Sequence, residues 1–377
     1  MPWLWIPPMG SLKEKAVFSP CCGDETARYS DRALFSGFDA TANEGSDTPV
    51  YEKRIGLMKT IANQTYDEER ALYGISNIHL LDCTFAGPAD GESAVKEASD
   101  VVAEHCFFDL RYPFWHVHRL DIRECRMSEG CRAALWYSDH VAVTGSELHG
   151  IKAFRECRDV AVRNCDIKSN EFGWFSRDFT MEGCTVESDY FMLHAGSLAF
   201  RDVRFRGKYA LQYLHDAVFD HCDITSRDAF WHAHNVTVRN SVLRGEFLGW
   251  YSDNLTLEHC RILSSQPLCY CSALKLIDCE VVDSDLCFEK SDVDAVITTP
   301  VDSIKNPVRV AVVVPSVDEI IRDDEHSRAE ILVAGGHQAH LWGLVTKGSP
   351  YKQGRVAGNG RCFFEAPKGQ PIKCLSY

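Results

Sequence analysis

The chain has 377 residues, of which 45% are hydrophobic, and it carries a formal net charge of −14. Length and composition allow a large buried core, while the acidic balance argues against nucleic acids and anionic membrane surfaces as partners. The sequence contains no apolar stretch of about 18 residues, so no membrane-spanning helix is expected.

The two ends of the chain differ in composition from its middle. Residues 1–57 show little hydrophobic periodicity, which predicts an irregular or disordered extension. Residues 326–377 are basic and rich in glycine and are predicted to form an irregular tail. The main domain is therefore expected over residues 58–325. The charged segment 60–76 at its start predicts a cap over the first repeat.

The middle of the chain repeats a phrase in which Asn or Asp precedes alternating apolar and polar residues and then a small residue. The small residues are spaced by 23, 19 and 21 residues and then seven times by 19, at Cys83, Cys106, Cys125, Ser146, Cys165, Cys184, Val203, Cys222, Ser241, Cys260 and Cys279. The alternation has the period of a β-strand, and 19 residues are too few for a pair of packed helices. The repeat predicts an all-β solenoid of about 11 or 12 coils, stacked at the distance between strands, about 4.8 Å.

Most of the small residues in this column are cysteines. Free Cys behaves as a small buried hydrophobe, so we interpret the column as a ladder of stacked thiols inside the solenoid. A metal or redox role is the alternative, but the chain has no Cys-x-x-Cys pair of the kind that holds zinc. The short apolar start lacks a basic segment and is a poor secretory signal. Reduced thiols and a cytoplasmic location are therefore expected.

The segment NPVRVAVVVPSVDEII, residues 306–321, interrupts the repeat and contains two prolines. An open solenoid end exposes unpaired strand edges and invites polymerisation. We therefore predict that this segment closes the C-terminal end.

Several phrases of the middle region carry a family resemblance, among them NQTYDEERALYG, FFDLRYPFWHV, CRAALWYS, HGIKAFREC, GKYALQY and GEFLGWYS. On these phrases, residues from about 58 to 324 resemble an uncharacterised bacterial family, the domain of unknown function 3737, with a pectin-lyase-like fold. The resemblance implies a right-handed parallel β-helix. It implies no particular reaction.

One outward-facing column near the end of each coil has an ordered charge. It is basic in early coils and acidic in late ones, and it reads Arg111, Arg132, Lys152, Glu171, Tyr190, Lys208, Tyr209, Asp228 and Glu246. Tryptophans lie beside it, at Trp115, Trp136, Trp174, Trp231 and Trp250. Pectin-lyase-like proteins bind elongated ligands along an outer face, which implies a saccharide or small polar ligand on these residues. The alternative is structural, with tryptophans packed inward at the corners and solvated charges.

The carboxylates of this column are candidates for catalysis. Asp228 and Glu246 lie one coil apart, so a separation of about 5–7 Å is expected if they share a face, which is compatible with glycoside hydrolysis. Glu171 and His149 are further candidate acid or base residues. A lyase would instead neutralise an acidic sugar with Ca²⁺ or with the basic members of the column. The Asn-Thr-Asp and Gly-His-Gly motifs of polygalacturonases are absent.

A second candidate site consists of histidines. The twin phrases WHVH at 115–118 and WHAH at 231–234 are about six coils apart and cannot share one ion. His232 and His234 are neighbours on one strand, and His215 is expected one coil earlier in the same column. Three imidazoles on a rigid surface predict a zinc site, while hydrogen bonds to backbone or water are the alternative. The sequence requires no cofactor, although Ca²⁺ or Zn²⁺ fits these hypotheses.

Three functions from different classes remain open. The first is a carbohydrate-binding or carbohydrate-active protein, a hydrolase or a lyase, that uses the charged and tryptophan-lined face. The second is a non-catalytic scaffold for a partner protein, and the third is a metal-dependent enzyme that uses the histidines. Ion pairs from Asp228 and Glu246 to a neighbouring arginine would count against hydrolysis, whereas an open cleft would favour it.

Overall fold

The structure is a computed structural model that describes residues 48–333 and the short segments 340–342, 355–356 and 362–363. Thr48–Ile55 forms a helix, α1, at the end of the segment for which the sequence predicted irregular structure. The rest of that predicted extension and most of the predicted tail lie outside the described residues. No helix in the described part of the chain is long and apolar enough to cross a membrane.

The first of two long parallel ladders contains mostly six-residue strands. Its strands are Lys59–Ala62, Ser76–Leu81, Ser99–Glu104, His118–Arg123, Asp139–Thr144, Arg158–Arg163, Arg177–Glu182, Gly196–Arg201, His215–Asp220, His234–Arg239, Asp253–Glu258, Leu274–Val282, Asp292–Ile297, Arg309–Val314 and Glu330–Val333. Neighbouring strands belong to successive coils. Their register follows the repeat, because Val160 pairs with Phe179 and Phe179 pairs with Leu198.

The second ladder contains shorter strands that follow the first after one bend. Its strands are Thr65–Tyr66, Thr84–Phe85, Phe107–Phe108, Arg126–Met127, Glu147–Leu148, Asp166–Lys168, Thr185–Glu187, Arg204–Lys208, Asp223–Arg227, Val242–Arg244 and Arg261–Leu263, and it continues into Leu274–Val282. Smaller sheets contain Leu135–Trp136 with Phe154–Arg155, and Val301–Lys305 with Val317–Ile321 and His340–Trp342. Arg355–Val356 and Cys362–Phe363 pair antiparallel.

The chain winds these ladders into a right-handed parallel β-helix of about 14 turns with a repeat of about 19 residues. The fold class is the one predicted from the repeat and the resemblance, but the number of turns exceeds the 11 or 12 coils expected. The difference arises at both ends. Lys59–Ala62 and Thr65–Tyr66 already form a coil in the segment predicted as a cap, and the later coils lack the small residue that marks the repeat in the sequence.

The predicted closure at 306–321 forms strands instead. Arg309–Val314 continues the first ladder, and Val317–Ile321 pairs in parallel with an earlier strand. Glu330–Val333 adds a further strand to the first ladder, so the solenoid continues beyond residue 325. Both prolines lie between strands, where a missing N–H costs no ladder hydrogen bond.

Each coil bends between the two ladders at one residue in the left-handed region. This residue precedes the small residue of the repeat, and its φ is 52° at Asp82, 51° at His105 and 52° at Asn164. In two other coils the position is Gly145 or Gly183, with φ of 61° and 63°. Such a conformation turns the chain sharply, so the polar residue or glycine makes the bend and the small residue fills its inner side.

The small residues form a buried column of cysteines and serines. The backbone N–H of Cys106 donates to Sγ of Cys125 at 3.3 Å, and the N–H of Cys125 donates to Oγ of Ser146 at 3.0 Å. Burial raises the pKa of the Cys222 thiol to about 12, so this thiol stays protonated at neutral pH. The cysteines of the described solenoid are free and buried, as expected for side chains that pack.

Two further columns of small residues mark the other corners of the coil. One contains Ser169, Ser188, Gly207, Ser226, Gly245 and Ser264, and the other contains Ser138, Cys157, Ser176, Ser252, Cys271 and Ser291. Their hydroxyls accept backbone hydrogen bonds from the preceding coil, as Ser176 Oγ does from the N–H of Cys157 at 3.2 Å. Sequence reasoning missed both columns, because serine at a buried corner looks like an ordinary loop residue.

An ion pair between neighbouring strands predicts a pH-dependent contribution to stability. Arg119 donates two hydrogen bonds of 2.6 Å to Asp100, and these bonds lower the pKa of the Asp100 carboxyl. The carboxylate therefore stabilises the fold above its unfolded pKa of about 4, and the contribution is lost as the pH falls through the lower folded pKa. We expect Asp100→Asn to lower the thermal midpoint at pH 7, and the deficit to shrink below about pH 4.

The measurement is thermal unfolding over a series of pH values. Asp294→Asn is the matched control, because Asp294 is an exposed carboxylate on the same ladder. It should change the midpoint little at any pH. A deficit for Asp100→Asn that stays constant on acidification would contradict the linkage.

Candidate functional site

The outer corner, which follows the second ladder in each coil, carries most of the predicted site residues. Its chain has repeated positive φ values, such as 59° at Lys152, 58° at Glu171 and 55° at Asp228. We use the name outer corner for residues 111–116, 132–137, 151–156, 170–175, 189–194, 208–213, 227–232, 246–251 and 265–270.

The residues that the sequence predicted to form one charged column lie in two neighbouring columns. The N–H of Glu171 donates to the carbonyl of Asp189, and the N–H of Asp228 donates to the carbonyl of Glu246, so Asp228 and Glu246 occupy different columns. One column contains Lys152, Glu171, Tyr190, Tyr209 and Asp228, and the residue before it in each coil gives Arg111, Arg132, Ile151, Asn170, Asp189, Lys208, Arg227 and Glu246. In the second of these columns Lys208 and Arg227 follow Asp189, so a single ordered change from basic to acidic over all the predicted residues is not present.

The tryptophans form a third column and are held by hydrogen bonds. The indole N–H of Trp136 donates to the carbonyl oxygen of Lys152, 2.6 Å away. Trp174, Trp231 and Trp250 donate to the following coil in the same way, at 2.6, 2.6 and 2.7 Å. All five tryptophans of this column, including Trp115, are half-buried. They therefore support the corner and still leave part of each ring accessible.

A continuous stack of aromatic rings lies directly after the tryptophan positions. We call it the aromatic stack; it contains Phe175, His194, Tyr213, His232, Tyr251 and Tyr270. Neighbouring ring centroids are 4.7 to 5.3 Å apart, and their planes differ by 5° to 18°. Phe175, Tyr213 and Tyr251 are 42%, 44% and 45% exposed. Sequence reasoning missed this column, although an aromatic or histidine residue recurs in it every 19 residues.

Other rings widen this surface. Trp231 and Trp250 stack at 5.5 Å with an angle of 3°, and Tyr190 stacks on Tyr209 at 4.9 Å. Phe247 contacts the edge of Trp250 at 5.1 Å. The outer corner therefore presents a band of aromatic side chains. Large exposed apolar patches of this kind mark binding surfaces in soluble proteins.

Asp228 and Glu246 meet at one guanidinium. Arg227 Nε lies 3.5 Å from Asp228 Oδ2 and 3.7 Å from Glu246 Oε2, so the carboxylates are at most about 7 Å apart, within the range of glycosidase pairs. Asp228 is 6% exposed, and burial is the main cause of its raised pKa. Arg227 nevertheless pairs with both groups, and such pairing counts against hydrolysis.

The other two catalytic candidates are also paired, and they lie apart. Glu171 Oε2 is 2.9 Å from Lys152 Nζ. His149 Nε2 is 2.8 Å from Asp166 Oδ2. His149 belongs to the bend after the second ladder, so the structure does not bring the four catalytic candidates into one site.

The predicted ligand-binding residues are distributed along the outer corner. Arg111 is held by acidic side chains, the nearer of them Asp90 at 3.2 Å. Arg132 and Lys208 are exposed, and Tyr209 belongs to the aromatic band through its contact with Tyr190. These residues line a surface rather than a pocket.

The three histidines of the predicted zinc site do not converge. The ring of His232 is enclosed in the aromatic stack between two tyrosines. The ring of His215 lies against Gly196, since a Cβ on that glycine would be 2.2 Å from His215 Cε1. His234 Nδ1 is 3.0 Å from Asp253 Oδ2. Because each ring is engaged separately, the predicted arrangement of three ligands is not formed.

One other set in the described part of the chain has ligand atoms close together. Those atoms of His118, Asp139 and His140 lie within 4.8 Å of one another. His118 hydrogen-bonds Asp139, and Arg119 contacts the other ring nitrogen of His118. A guanidinium at this position opposes a cation, so we interpret the set as a network of ion pairs.

Fold and site together define a right-handed parallel β-helix with an aromatic outer corner. Residues 59–333 match the family described as Protein of unknown function (DUF3737). The chain belongs to this family, and the resemblance drawn from the sequence is confirmed. A search of curated proteins gives no match.

A comparison with solved structures gives matches of low identity and low TM-score. The surface adhesin PfbA of Streptococcus pneumoniae is 7% identical, with 75% of this chain and 84% of that chain covered and a TM-score of 0.32. The A-module of the mannuronan C-5 epimerase AlgE4 of Azotobacter vinelandii is 9% identical, with 78% and 93% covered and a TM-score of 0.27. A mutant tailspike protein of E. coli bacteriophage HK620, in complex with pentasaccharide, is 8% identical, with 72% and 70% covered and a TM-score of 0.29.

Proposed function

We propose that the protein binds a saccharide chain along its outer corner without cleaving it. The aromatic stack is the observation that carries this proposal, because its rings recur at 4.7 to 5.3 Å over successive coils. A row of similar groups at fixed spacing complements a ligand that itself repeats. Nucleic acids are repeating polymers too, but a protein with a net charge of −14 repels them.

The chemistry of the exposed groups suits sugar hydroxyls. Ring faces inside the aromatic stack cover one another, so the edges point toward solvent with tyrosine hydroxyls and imidazole nitrogens. Burial lowers the pKa of His194, which favours a neutral imidazole that both donates and accepts. The half-buried indoles beside the stack add apolar surface for the C–H faces of sugar rings. Amphipathic rings of this kind can contact both the hydroxyls and the apolar face of a sugar.

Binding without cleavage follows from the state of the carboxylates. Arg227 pairs with both Asp228 and Glu246, and Lys152 pairs with Glu171. Neither arrangement leaves an acid and a base free on opposite sides of a bond, as glycoside hydrolysis requires. A scaffold that binds a partner protein is the competing function, and a glycan-binding experiment separates the two.

Removal of two central rings should weaken saccharide binding. We expect the full chain to bind oligosaccharides with an affinity that rises with their length, and we expect Tyr213→Ala with Tyr251→Ala to reduce that affinity at least about tenfold, or about 1.4 kcal/mol. Isothermal titration calorimetry with a panel of neutral and acidic oligosaccharides of graded length measures both effects.

Phe107→Ala is the matched control, since Phe107 is a partly exposed aromatic residue on the second ladder and lies outside the outer corner. It should leave the affinity unchanged. If no member of the panel binds, or if the double variant binds as tightly as the control, the proposal fails and a protein partner becomes the better explanation.

A further inference from the structure

We infer that the outer corner holds an oxyanion site beside Phe175, and that the saccharide bound there carries a carboxylate on a sugar unit. This inference rests on the proposed function and names its ligand class. The site is a shallow depression of about 590 Å³, lined by Arg155, Glu156, Cys157, Arg158, Phe175 and Arg177. Three guanidiniums and one carboxylate line it, and with Asp178 beside Arg158 the group carries one net positive charge on a chain whose net charge is negative.

Two of the arginines are adjacent on neighbouring strands. Arg158 and Arg177 occupy paired positions in the first ladder, and like charges at such positions destabilise a sheet. Asp178 compensates Arg158, with Nε and Oδ2 3.2 Å apart. The side chain of Arg177 has no hydrogen bond or ion pair within the described residues. An unpaired guanidinium beside another one is what an incoming anion would neutralise.

The third arginine is held in place by aromatic rings. The Cζ atom of Arg155 lies 5.0 Å from the ring centroid of Trp136, 5.6 Å from that of Trp174 and 5.6 Å from that of Phe175. Such cation–π contacts orient the guanidinium plane, and within the described residues the terminal nitrogens of Arg155 make no hydrogen bond. The Nε atom of Arg155 lies 3.5 Å from Oε1 of Glu156. A planar group fixed in this way is prepared for the two parallel hydrogen bonds of a carboxylate.

The position of the depression connects it with the saccharide surface. Phe175 both lines the depression and forms the first ring of the aromatic stack. A chain lying along the stack therefore ends or passes directly over the arginines. This continuity points to an anionic group on the sugar polymer rather than to a free anion.

The test compares three oligosaccharides of equal length with the full chain by calorimetry: a neutral one, one with uronic acid carboxylates and one with sulfate esters. We expect the uronate chain to bind at least tenfold more tightly than the neutral chain at low salt, and the preference to fall as salt rises. Arg177→Gln should remove the preference and keep the neutral binding, whereas Arg155→Gln, which alters the outer corner itself, should remove the preference. Arg204→Gln, an exposed arginine on the second ladder, should keep the preference.

The midpoint of thermal unfolding distinguishes the loss of a binding site from the loss of the fold. Arg177→Gln removes a like charge beside Arg158, so its midpoint should equal or exceed that of the unsubstituted protein while its selectivity is lost. A midpoint that falls along with the affinity for every ligand would overturn the assignment of Arg177.

The outcomes separate this inference from the proposed function. Equal binding of neutral and uronate chains, still lost in the Tyr213 and Tyr251 double variant, would overturn the anion site and leave saccharide binding intact. A uronate preference that survives both arginine substitutions would also overturn it. Tighter binding of the sulfated chain would overturn the assignment to a carboxylate, and binding of none of the three would overturn both proposals.

Discussion

Phe191→Ala is expected to lower the free energy of unfolding by about 3 to 5 kcal/mol. Phe191 is 1% exposed, and its ring lies 5.5 Å from Phe172, 6.0 Å from Phe200 and 4.9 Å from Phe205. These rings belong to three successive coils. The stacked backbones are tied by ladder hydrogen bonds at a fixed spacing, so they cannot collapse into the cavity that the missing ring would leave.

Denaturant and thermal unfolding of the full chain measure this loss. Phe175→Ala is the matched control, because the same ring is removed from a side chain that is 42% exposed. It should cost no more than about 1 kcal/mol. Equal losses for the two variants would show that the interior rings are not packed as described.

Gly207→Ala should destabilise the solenoid by about 3 kcal/mol or more, at the upper end of overpacking effects. A Cβ at Gly207 would lie 1.8 Å from the carbonyl oxygen of Ser188 in the preceding coil. That neighbour is backbone, so no side-chain rotation relieves the contact. The strand Arg204–Lys208 would have to move away from the coil before it, toward its partner strand Asp223–Arg227 on the other side.

Gly74→Ala tests the other requirement for glycine. Gly74 has a φ of 65°, and a Cβ there would meet no atom within 4 Å. The substitution should cost only the left-handed conformation, about 1–2 kcal/mol. Comparison of the two thermal midpoints checks the argument, and a larger loss at Gly74 would contradict the close approach at Gly207.

The fold was predictable because its strongest determinant is periodic. Alternating residues such as Val141 and Val143, or Leu255 and Leu257, are buried as the strand period requires. The last coils were not predicted because the small residue of the repeat is absent after Cys279. The sequence then offers no recurring position from which further coils could be counted. Burial of a serine at a corner leaves no sequence signal at all, since the same residue is common in exposed turns.

The candidate site was predictable only in part. Tryptophan is rare, so its recurrence near the coil end was visible, whereas the aromatic stack mixes Phe, His and Tyr and shares a shape rather than a residue type. Arg155 was overlooked for a related reason, because it replaces a tryptophan in its column. The three histidines of the zinc hypothesis are not brought together in the structure, since the ring of His215 occupies the space beside Gly196. Residue spacing in the sequence does not show which side chain occupies the space beside a glycine.

Each ring of the aromatic stack is supplied by a different coil, and this has an evolutionary consequence. Duplication of one repeat unit would lengthen the row by one ring and preserve the hydrogen-bonding pattern on both sides. Deletion of one repeat unit would shorten the row by one ring and would also preserve this pattern. The length of the aromatic stack can therefore change by one ring at a time, through the number of repeat units, and no new type of contact is needed.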